Sequence, residues 1–406
     1  MPLYLPFNGG AERHTRELSL EIQKMGYQVT ILTTDALDIP SLFQRHNNLT
    51  EPTTYDYELN LIRYPVTRLP FFKLLIKCTK LSLQTLDKIG LHSNVHRLWA
   101  DTLKILPNTP KMYCALLKTK NYDIVNSTPF PFSHHYYLLK IFDRNKIPFI
   151  ITPRMHVLDP LFQRSDLYQV AKQANALIAI TEYEKEYFTK NGVDPDKIFV
   201  TGIGVSPELY EISYSEFKRN HGIPEDYDIV LFIGRIVEYK GIAHIIRSMK
   251  RVWKTHPKTY FVIIGKSTSY TNEIQKMIRG KRRILLIPDA SERIKIQALK
   301  NSNLLILPSK YESFGGVFLE AWTNGIPVIG AGIPTIKTII DEGVNGLLLD
   351  NIDSNEIADK ITYLLENKKT AMEMGANGKQ KTLSKYSWNR IAKATLDVYN
   401  YVISAY

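Results

Sequence analysis

Cysteines and long apolar runs are scarce in this chain of 406 residues. Its two cysteines, Cys78 and Cys114, are too few for a disulfide framework or a cysteine-rich metal cluster. No apolar run approaches the roughly 18 residues that a membrane-spanning helix needs. Residues 1–12 also lack the basic start and the apolar centre of an export signal. These absences predict a cytoplasmic protein in a reducing compartment.

Acidic residues are scarce in one segment, residues 71–120. Nine lysines and arginines stand there against two acids, Asp87 and Asp101, so the segment carries a net charge of +7, with apolar residues interleaved. A basic amphipathic segment is typical of contact with an anionic membrane surface. A pair of helices with solvated lysine faces is the alternative, and the sequence leaves both open. No nucleic-acid partner is predicted, because the sequence contains no binding module with interleaved aromatic residues.

The remaining composition, 44% hydrophobic and 23% charged, is that of an ordinary globular protein. Short apolar strands alternate with helical patterns, which is typical of parallel sheets covered by helices on both faces. We therefore predict an α/β protein with two facing, doubly wound Rossmann-like domains and a ligand cleft between them. Strands are expected at residues 29–32, 123–126, 148–152, 176–180, 197–201, 229–234, 260–265, 283–287, 304–308, 327–330 and 346–350.

The predicted domain bounds follow glycines and prolines near residues 204–224. The first domain covers residues 1–205, the second 206–385, and a helix at 386–406 is expected to pack back towards the first. Residues 36–118 interrupt the alternation. We interpret them as a basic apolar insertion that faces the acceptor, the substrate that would receive a transferred group. Only residues 1–7 precede the pair Gly9-Gly10, so either the first strand is unusually short or the chain begins further upstream.

The most informative segment, residues 311–322, follows an apolar strand. Glu312 lies in the strand-to-helix turn, Gly315 and Gly316 begin the helix, and Glu320 lies one to two turns further on. A helix N-terminus with free backbone N–H groups binds anions. Carboxylates beside it can bind the hydroxyl groups of a sugar or a ribose. The segment therefore predicts a nucleotide-sugar site.

A second segment, residues 234–241, follows the first strand of the second half and presents Arg235 and Lys240 at its carboxyl end. A departing diphosphate gains negative charge, so cations there stabilise the transition state more than the ground state. Taken alone, the segment fits a plain surface loop equally well. In combination with residues 311–322 it favours a diphosphate site.

Together these segments resemble the retaining glycosyltransferases of family 4, which have the GT-B fold. The resemblance is specific over residues 229–350 and weaker at residues 9–14 and 26–29. The residues that carry it are Gly234, Arg235, Lys240, Gly241, Pro308, Ser309, Glu312, Phe314, Gly315, Glu320, Ala321, Gly325, Pro327, Val328, Gly343, Asn345 and Gly346.

The resemblance implies individual roles at the donor site. Arg235 and Lys240 would bind the donor diphosphate. Glu312 would hold the transferred sugar near its 3- and 4-hydroxyls, and Glu320 the ribose. Backbone contacts with the phosphate and the sugar are implied for Phe314, Gly315 and Gly316.

In the first half, the resemblance implies that Gly10 approaches the donor phosphate and the acceptor and that His156 lines the catalytic cleft. A merely structural loop residue is an equal alternative for His156, because Arg154 stands where many members have another histidine. The chain also departs from the family pattern at residues 202–206, at residues 265–268 and at Thr338, where a glutamate is common. These departures bear on the preferred base and sugar.

We therefore predict a retaining hexosyltransferase that moves a hexose from a UDP- or GDP-linked sugar to a hydroxyl acceptor, without a metal or a further cofactor. Asp226 and Asp228 form an Asp-x-Asp pattern but precede a strand and lie away from a glycine turn. The basic segment predicts a lipid-linked acceptor, with a growing glycan as the other possibility, and a peripheral position on the cytoplasmic membrane face. The alternatives are a non-catalytic sugar-nucleotide-binding subunit and an epimerase or phosphorylase of the same fold.

Overall fold

A computed structural model describes residues 1–7, 9–42, 49, 55–56, 58–67, 109–119, 121–132, 134–159, 162–210 and 216–406. The chain divides into two compact units. The first comprises Met1–Gly202 and Ile391–Tyr406, and the second Ile203–Arg390. Most of the basic segment at residues 71–120, and most of the range interpreted as an insertion, lies outside the described residues.

The described part of the first unit contains two sheets. One has the order β1-β3-β2, formed by β1 (Thr30–Thr34), β2 (Tyr55–Asp56) and β3 (Leu59–Tyr64). The other has four parallel strands in sequence order, β4 (Val125–Ser127), β5 (Phe149–Ile151), β6 (Ala176–Ala179) and β7 (Ile198–Val200). The helices are Gly10–Lys24, Pro110–Leu116, His134–Asn145, Ser165–Gln173 and Glu182–Lys190. They supply much of the apolar core around Phe142, Phe149 and Phe188.

One strand of this unit corrects the interpretation of residues 36–118. β3 lies within that range and pairs in parallel with β1, from Asn60 opposite Thr30 to Tyr64 opposite Thr34. Its side chains alternate between buried and more exposed positions, as in a strand with one covered face. The range therefore contributes a strand to the sheet of the first unit. The apolar alternation over six residues was too short to separate it from its surroundings in the sequence.

Residues 1–7 precede the first helix without forming a strand. The Met1 amino group donates a hydrogen bond to the Leu32 carbonyl at 2.8 Å, and the Thr34 hydroxyl donates one to the Pro2 carbonyl at 2.6 Å. A cavity of about 130 Å³ lies beside these residues, with β1 and β4 both contributing to its lining. The start of the chain is thus anchored on β1.

The second unit is built on one six-stranded parallel sheet, in the order β10-β9-β8-β11-β12-β13. These strands are β8 (Asp228–Ile233), β9 (Thr259–Gly265), β10 (Ile284–Pro288), β11 (Leu304–Leu307), β12 (Val328–Ala331) and β13 (Gly346–Leu349). All six expected strands of the second half are present, with ends shifted by a residue or so. The central ones are buried along nearly their whole length, since helices cover both faces.

The helices of the second unit lie before, between and after these strands. Ile242–Thr255 packs its apolar face on the sheet and on Ser354–Glu366. The other helices are Phe217–Asn220, Thr271–Ile278, Glu292–Lys300, Gly316–Thr323, Pro334–Lys337 and Lys368–Lys385.

The last helix, Trp388–Ala405, begins in the second unit and continues in the first. Its residues Val398 and Val402 join a buried cluster with Ile150 of β5 and Ile178 of β6. The Tyr399 hydroxyl accepts a hydrogen bond from the Asn126 side chain at 2.9 Å. These contacts cover one face of the four-stranded sheet with the end of the chain.

Candidate donor-binding site

The order of the strands in the second unit determines where the candidate site lies. β8 and β11 are neighbours in the sheet, although two strands and three helices separate them in the chain. Parallel neighbours end at the same edge, and the chain leaves the sheet in opposite directions on either side of such a switch point, which opens a crevice for ligands. The loops after β8 and β11 carry the two segments that the sequence singled out.

The loop after β8 fits closely against the end of β11. It contains a short 3-10 helix, Glu238–Lys240, and ends at Gly241, whose φ of 75° lies in the left-handed region. A side chain at this position would place Cβ 2.6 Å from the carbonyl oxygen of Pro308. The glycine therefore allows both the turn and the close approach of the two loops.

Lys240 and Glu312 meet across these loops. The Lys240 ammonium group donates a hydrogen bond to Oε1 of Glu312, and the two side chains are 10% and 8% exposed. Buried charges are tolerated when they are paired, because each partner replaces part of the water that the other has lost. The sequence predicted both residues as donor ligands, and the structure brings them together as an ion pair.

Arg235 lies beside this pair and is exposed. Its guanidinium donates a hydrogen bond to the hydroxyl group of Tyr239 at 2.5 Å. The Lys240 ammonium lies 5.6 Å from the centroid of the same ring. Tyr239 was not predicted from the sequence, although it stands inside the segment 234–241. Tyr239 thus links Arg235 to the ion pair of Lys240 and Glu312 at this edge of the sheet.

The helix after β11 begins at the same edge. Gly315 is its N-cap residue, with φ 83° and ψ 53°, and the helix runs over Gly316–Thr323. A Cβ at Gly315 would lie 2.7 Å from the Phe318 ring, and one at Gly316 would lie 2.8 Å from the Ile203 side chain. No side chain from these two positions covers the first backbone N–H groups, which suits an approaching anion.

Phe314 is buried, 2% exposed, and its ring meets that of Tyr386 edge to face, with centroids 5.5 Å apart. Its side chain therefore packs in the protein interior and holds the turn before the helix. Only its backbone is left for the ligand contact that the resemblance implies.

Glu320 lies one turn into the helix and is also paired. Its Oε1 accepts a hydrogen bond from Lys295 at 3.0 Å, and both side chains are 12% exposed. Lys295 belongs to the helix Glu292–Lys300 and forms a second ion pair with Glu292 at 2.7 Å. No motif pointed to Lys295, because it contacts Glu320 only after the chain has folded. A role of Glu320 in ribose binding stays a prediction.

Two predicted site residues belong to the first unit. Gly10 is the first residue of the helix Gly10–Lys24; it is exposed, and a Cβ added there would meet no described atom within 4 Å. The His156 ring lies 5.6 Å from that of Phe162, and the His156 carbonyl accepts a hydrogen bond from the Asp159 N–H at 2.8 Å. Their roles in donor and acceptor binding stay predictions.

The loop that carries His156 is held by a buried carboxylate that sequence reasoning missed. Glu184 accepts hydrogen bonds from the backbone N–H groups of Met155 and Ile180, both at 2.7 Å. Burial raises the pKa of this carboxyl group to about 7, against the opposing effects of the two hydrogen bonds and of Arg154. Arg154, with φ 55°, donates a hydrogen bond to the Ala11 carbonyl. The histidine loop is thereby tied to the first helix.

Two of the three departures from the family pattern, at residues 265–268 and at Thr338, have local explanations. A Cβ at Gly265, which ends β9, would lie 1.7 Å from the carbonyl oxygen of Gly234, so this glycine lets the ends of β8 and β9 come together. The following Ser267 hydrogen-bonds the side chain of Asp289. Thr338 donates a hydrogen bond to the Thr335 carbonyl at 2.7 Å and closes its own short helix.

The described residues contain neither a grouped metal site nor a membrane-spanning helix. In that part of the chain, no three histidine, cysteine, aspartate or glutamate side chains are grouped to hold a metal ion. Nor does any helix within the same ranges have the length and apolar character to cross a membrane. Asp226 of the Asp-x-Asp pattern forms an ion pair with Lys258 at 2.6 Å.

Solved structures share this architecture over nearly the whole chain. The Anabaena protein HepE, crystallised with UDP and glucose, is 15% identical and has a TM-score of 0.73, with 97% of this chain and 96% of that one covered. A glycosyltransferase from Rickettsia africae is 17% identical with a TM-score of 0.73, covering 100% and 98%. At such identities the likeness concerns the fold. The protein is an α/β protein of the GT-B class, as the sequence predicted.

Family models narrow this class. The model described as Glycosyltransferase Family 4 matches residues 8–209, and the model described as Glycosyl transferases group 1 matches residues 213–381. Together they account for most of the chain. The chain belongs to the family 4 glycosyltransferases.

Curated relatives match a shorter part of this chain than the solved structures do. An uncharacterized glycosyltransferase of Methanocaldococcus jannaschii is 28% identical over 210 residues, covering 50% of this chain and 54% of the relative. A D-inositol 3-phosphate glycosyltransferase of Xylanimonas cellulosilytica is 26% identical over 245 residues, covering 57% and 58%. The matched part thus spans little more than half the length of these relatives.

Proposed function

We propose that the protein transfers a hexose from a nucleotide-diphosphate sugar to a hydroxyl acceptor, with retention of the anomeric configuration and without a metal ion. The observation that supports this most is the grouping of Arg235, Lys240 and Glu312 with the helix start at Gly315, all at the junction of β8 and β11. Retention is what the family resemblance implies.

The charges suit a diphosphate that becomes more negative during the reaction. Arg235 offers a forked set of donors and is exposed, while Lys240 supplies a compact charge that Glu312 holds in place. The backbone N–H groups after Gly315 add a third source of positive potential. Fixed donors of this kind need little reorganisation when charge develops, so they favour the transition state.

The proposed transfer breaks one bond, forms another and moves one proton. The bond between the anomeric carbon and the diphosphate oxygen breaks, and its electrons stay on the diphosphate. The acceptor oxygen forms the new bond on the same face of the sugar. The acceptor's proton passes to the departing phosphate oxygen, so no protein base is required. Glu312, beside the diphosphate cations, is proposed to hold the transferred hexose, and Glu320 the ribose.

The proposed donor is UDP- or GDP-linked. HepE, which shares the fold, was crystallised with UDP and with UDP-glucose, and this supports the uridine form. A thermal-shift panel of UDP-, GDP- and ADP-linked hexoses tests the donor directly, because a ligand at 100 times its Kd adds about 2.7 kcal/mol of stability. A shift with none of them would contradict the proposal.

The decisive variant is Arg235→Ala. We expect turnover to fall by at least 100-fold, since removal of one such donor costs about that much, while the unfolding temperature stays within about 1 °C because the side chain is exposed. Lys240→Ala and Glu312→Ala should also abolish turnover, but each removes one partner of a buried ion pair and so lowers stability as well. Arg235 therefore gives the cleaner test.

The control is Arg251→Ala, which removes an exposed arginine that forms a surface ion pair with Asp359. Its turnover should equal that of the wild type. Wild-type turnover in Arg235→Ala, measured with the donor that gives the largest thermal shift, would refute the assignment of the diphosphate site.

A second candidate function is a non-catalytic sugar-nucleotide-binding subunit. The departures at residues 202–206 and 265–268 favour it, because they alter loops that the family resemblance places near the donor. Purified protein that binds a nucleotide sugar but transfers no hexose to any acceptor extract would support this alternative.

A further inference from the structure

Tyr239 occupies a central place among the donor cations. It lies in the short 3-10 helix Glu238–Lys240, between Arg235 and Lys240 in the chain. Its hydroxyl group accepts the hydrogen bond from Arg235 at 2.5 Å, and its ring centroid lies 5.6 Å from the Lys240 ammonium. The ring also meets that of Tyr311, with centroids 5.7 Å apart. One side chain thus contacts both predicted phosphate ligands.

The two contacts are of different kinds. The Arg235 Cζ lies 6.0 Å from the ring centroid, at the outer limit of cation–π attraction, so the hydroxyl group is the main link to the guanidinium. Lys240 has its ammonium bound to Glu312 and approaches the ring rather than the hydroxyl. The ring of Tyr239 therefore lies next to Lys240, and the hydroxyl group of Tyr239 accepts the hydrogen bond from Arg235.

The backbone fixes Tyr239 itself. Its carbonyl oxygen accepts a hydrogen bond from the Lys310 N–H at 2.8 Å, which joins the loop after β8 to the loop after β11. The Lys310 side chain in turn lies 5.4 Å from the Tyr311 ring. Tyr239 and Tyr311 are both half-buried, and their paired rings hold the Tyr239 hydroxyl group next to the exposed guanidinium of Arg235.

We infer that Tyr239 is a positioning residue of the donor site, whose hydroxyl group orients the Arg235 guanidinium towards the diphosphate of the nucleotide sugar. A free arginine side chain loses rotamer freedom when it binds a ligand, and that loss opposes binding. Tyr239 reduces that loss by holding one guanidinium nitrogen, and it leaves the other nitrogens for phosphate oxygens. This inference rests on the proposed function, since it requires a diphosphate at Arg235.

The test is a double-mutant cycle on UDP affinity with the full chain. Tyr239→Phe removes the hydroxyl and keeps the ring, and we expect the Kd for UDP to rise about 10-fold, because Arg235 must then give up its rotamer freedom when it binds the diphosphate. In an Arg235→Ala background the same change should have no further effect, because the group it orients is absent. The unfolding temperature of each variant checks that the fold is retained.

Tyr227→Phe is the matched control. Tyr227 precedes β8 at the opposite edge of the sheet and pairs its ring with Tyr260 at 5.6 Å. Loss of its hydroxyl should leave the Kd for UDP unchanged.

Arginine positioning also predicts that Tyr239→Phe raises the KM for the nucleotide sugar and leaves the KM for the acceptor unchanged.

Several outcomes would overturn the inference. Wild-type UDP affinity in Tyr239→Phe, together with weak binding in Arg235→Ala, would refute the role of Tyr239 and leave the proposed function standing. An equal loss from Tyr239→Phe in both backgrounds would mean that the tyrosine acts independently of Arg235. Wild-type affinity in Arg235→Ala itself would remove the diphosphate site and this inference with it.

Discussion

At the scale of single residues, the two units place buried carboxylates in contrasting surroundings. Glu312 of the second unit is paired with the Lys240 ammonium group. Glu184 of the first unit accepts two backbone hydrogen bonds and has Arg154 nearby, yet burial dominates and its pKa rises to about 7. An ion pair holds the first charge in place, whereas the second can be neutralised near physiological pH.

A pH dependence of stability follows from Glu184. Its pKa is raised in the folded state above the ordinary value of 4.5, so the folded protein binds the proton more tightly than the unfolded chain. This carboxyl group therefore stabilises the fold below about pH 4.5, and that contribution is lost as the pH rises to about 7. The full effect is on the order of 3 kcal/mol.

The measurement compares the wild type with Glu184→Gln by urea unfolding between pH 5 and pH 8. We expect the wild type to lose stability relative to the variant across this range. Any constant cost of placing an amide against two N–H donors cancels in the slope. Burial lowers the pKa of His14, His134 and His135, and their opposite contributions cancel as well because both proteins retain them. A difference that does not change with pH would show that Glu184 does not titrate there.

At the scale of elements, the strands and helices of the second unit were predictable because each carries its own pattern. The strands are continuous apolar runs, and the helices between them have one apolar face, so local sequence suffices. β3 was missed because its alternation of apolar and polar residues covers only six positions and does not stand out from the sequence around it. Pairing with β1 identifies it, and that contact is not local in sequence.

The residues of the candidate site also divide into those that the local sequence predicts and those that only the folded structure identifies. Arg235, Lys240, Glu312 and Gly315 were predicted, since they occur in compact motifs at strand ends. Tyr239, Lys295 and Glu184 were not predicted as site residues, because their importance arises from contacts between separate parts of the fold. The partner of a charged residue is chosen by packing, and a single sequence carries no record of it.

A substitution at Gly315 tests what the start of the helix Gly316–Thr323 requires. Its φ is 83°, and a Cβ would lie 2.7 Å from the ring of the buried Phe318. Gly315→Ala should therefore cost both left-handed strain and a clash. Gly280→Ala, with φ 76° and nothing within 4 Å of its Cβ, should cost the strain alone, about 1–2 kcal/mol. Urea unfolding of both variants isolates the clash.

We expect Gly315→Ala to be less stable than Gly280→Ala by about 1–3 kcal/mol, because the buried ring must move. The helix start should also shift, so the affinity for UDP should fall in Gly315→Ala and stay unchanged in Gly280→Ala. Equal stabilities in the two variants would mean that the helix start adapts to a side chain without strain.

At the scale of the whole molecule, charge is the feature that the donor site does not explain. The formal net charge is +12, and residues 71–120 alone contribute +7. Residues 71–108 and 120 lie outside the described residues, so the argument rests on their sequence. We propose that this segment holds the enzyme on an anionic membrane surface, where a lipid-linked acceptor would be presented.

Vesicle co-sedimentation tests this proposal. Each basic residue near an anionic leaflet contributes about 1 kcal/mol, and salt screens the attraction. We expect the full chain to sediment with phosphatidylserine-containing vesicles at low salt and to be released at about 1 M salt, where the Debye length is about 3 Å. Replacing Lys73, Lys77 and Lys80 together by glutamine should weaken binding by roughly 100-fold, since three charges are lost.

The control carries the same change in net charge at a different place. Lys250, Lys254 and Lys276 are exposed lysines of the second unit, and their joint replacement by glutamine should leave vesicle binding nearly unchanged if the segment is the contact. Equal losses in the two triple variants would mean that net charge acts without a dedicated surface. Absence of binding to anionic vesicles at low salt would remove the membrane proposal and, with it, the reason to expect a lipid-linked acceptor.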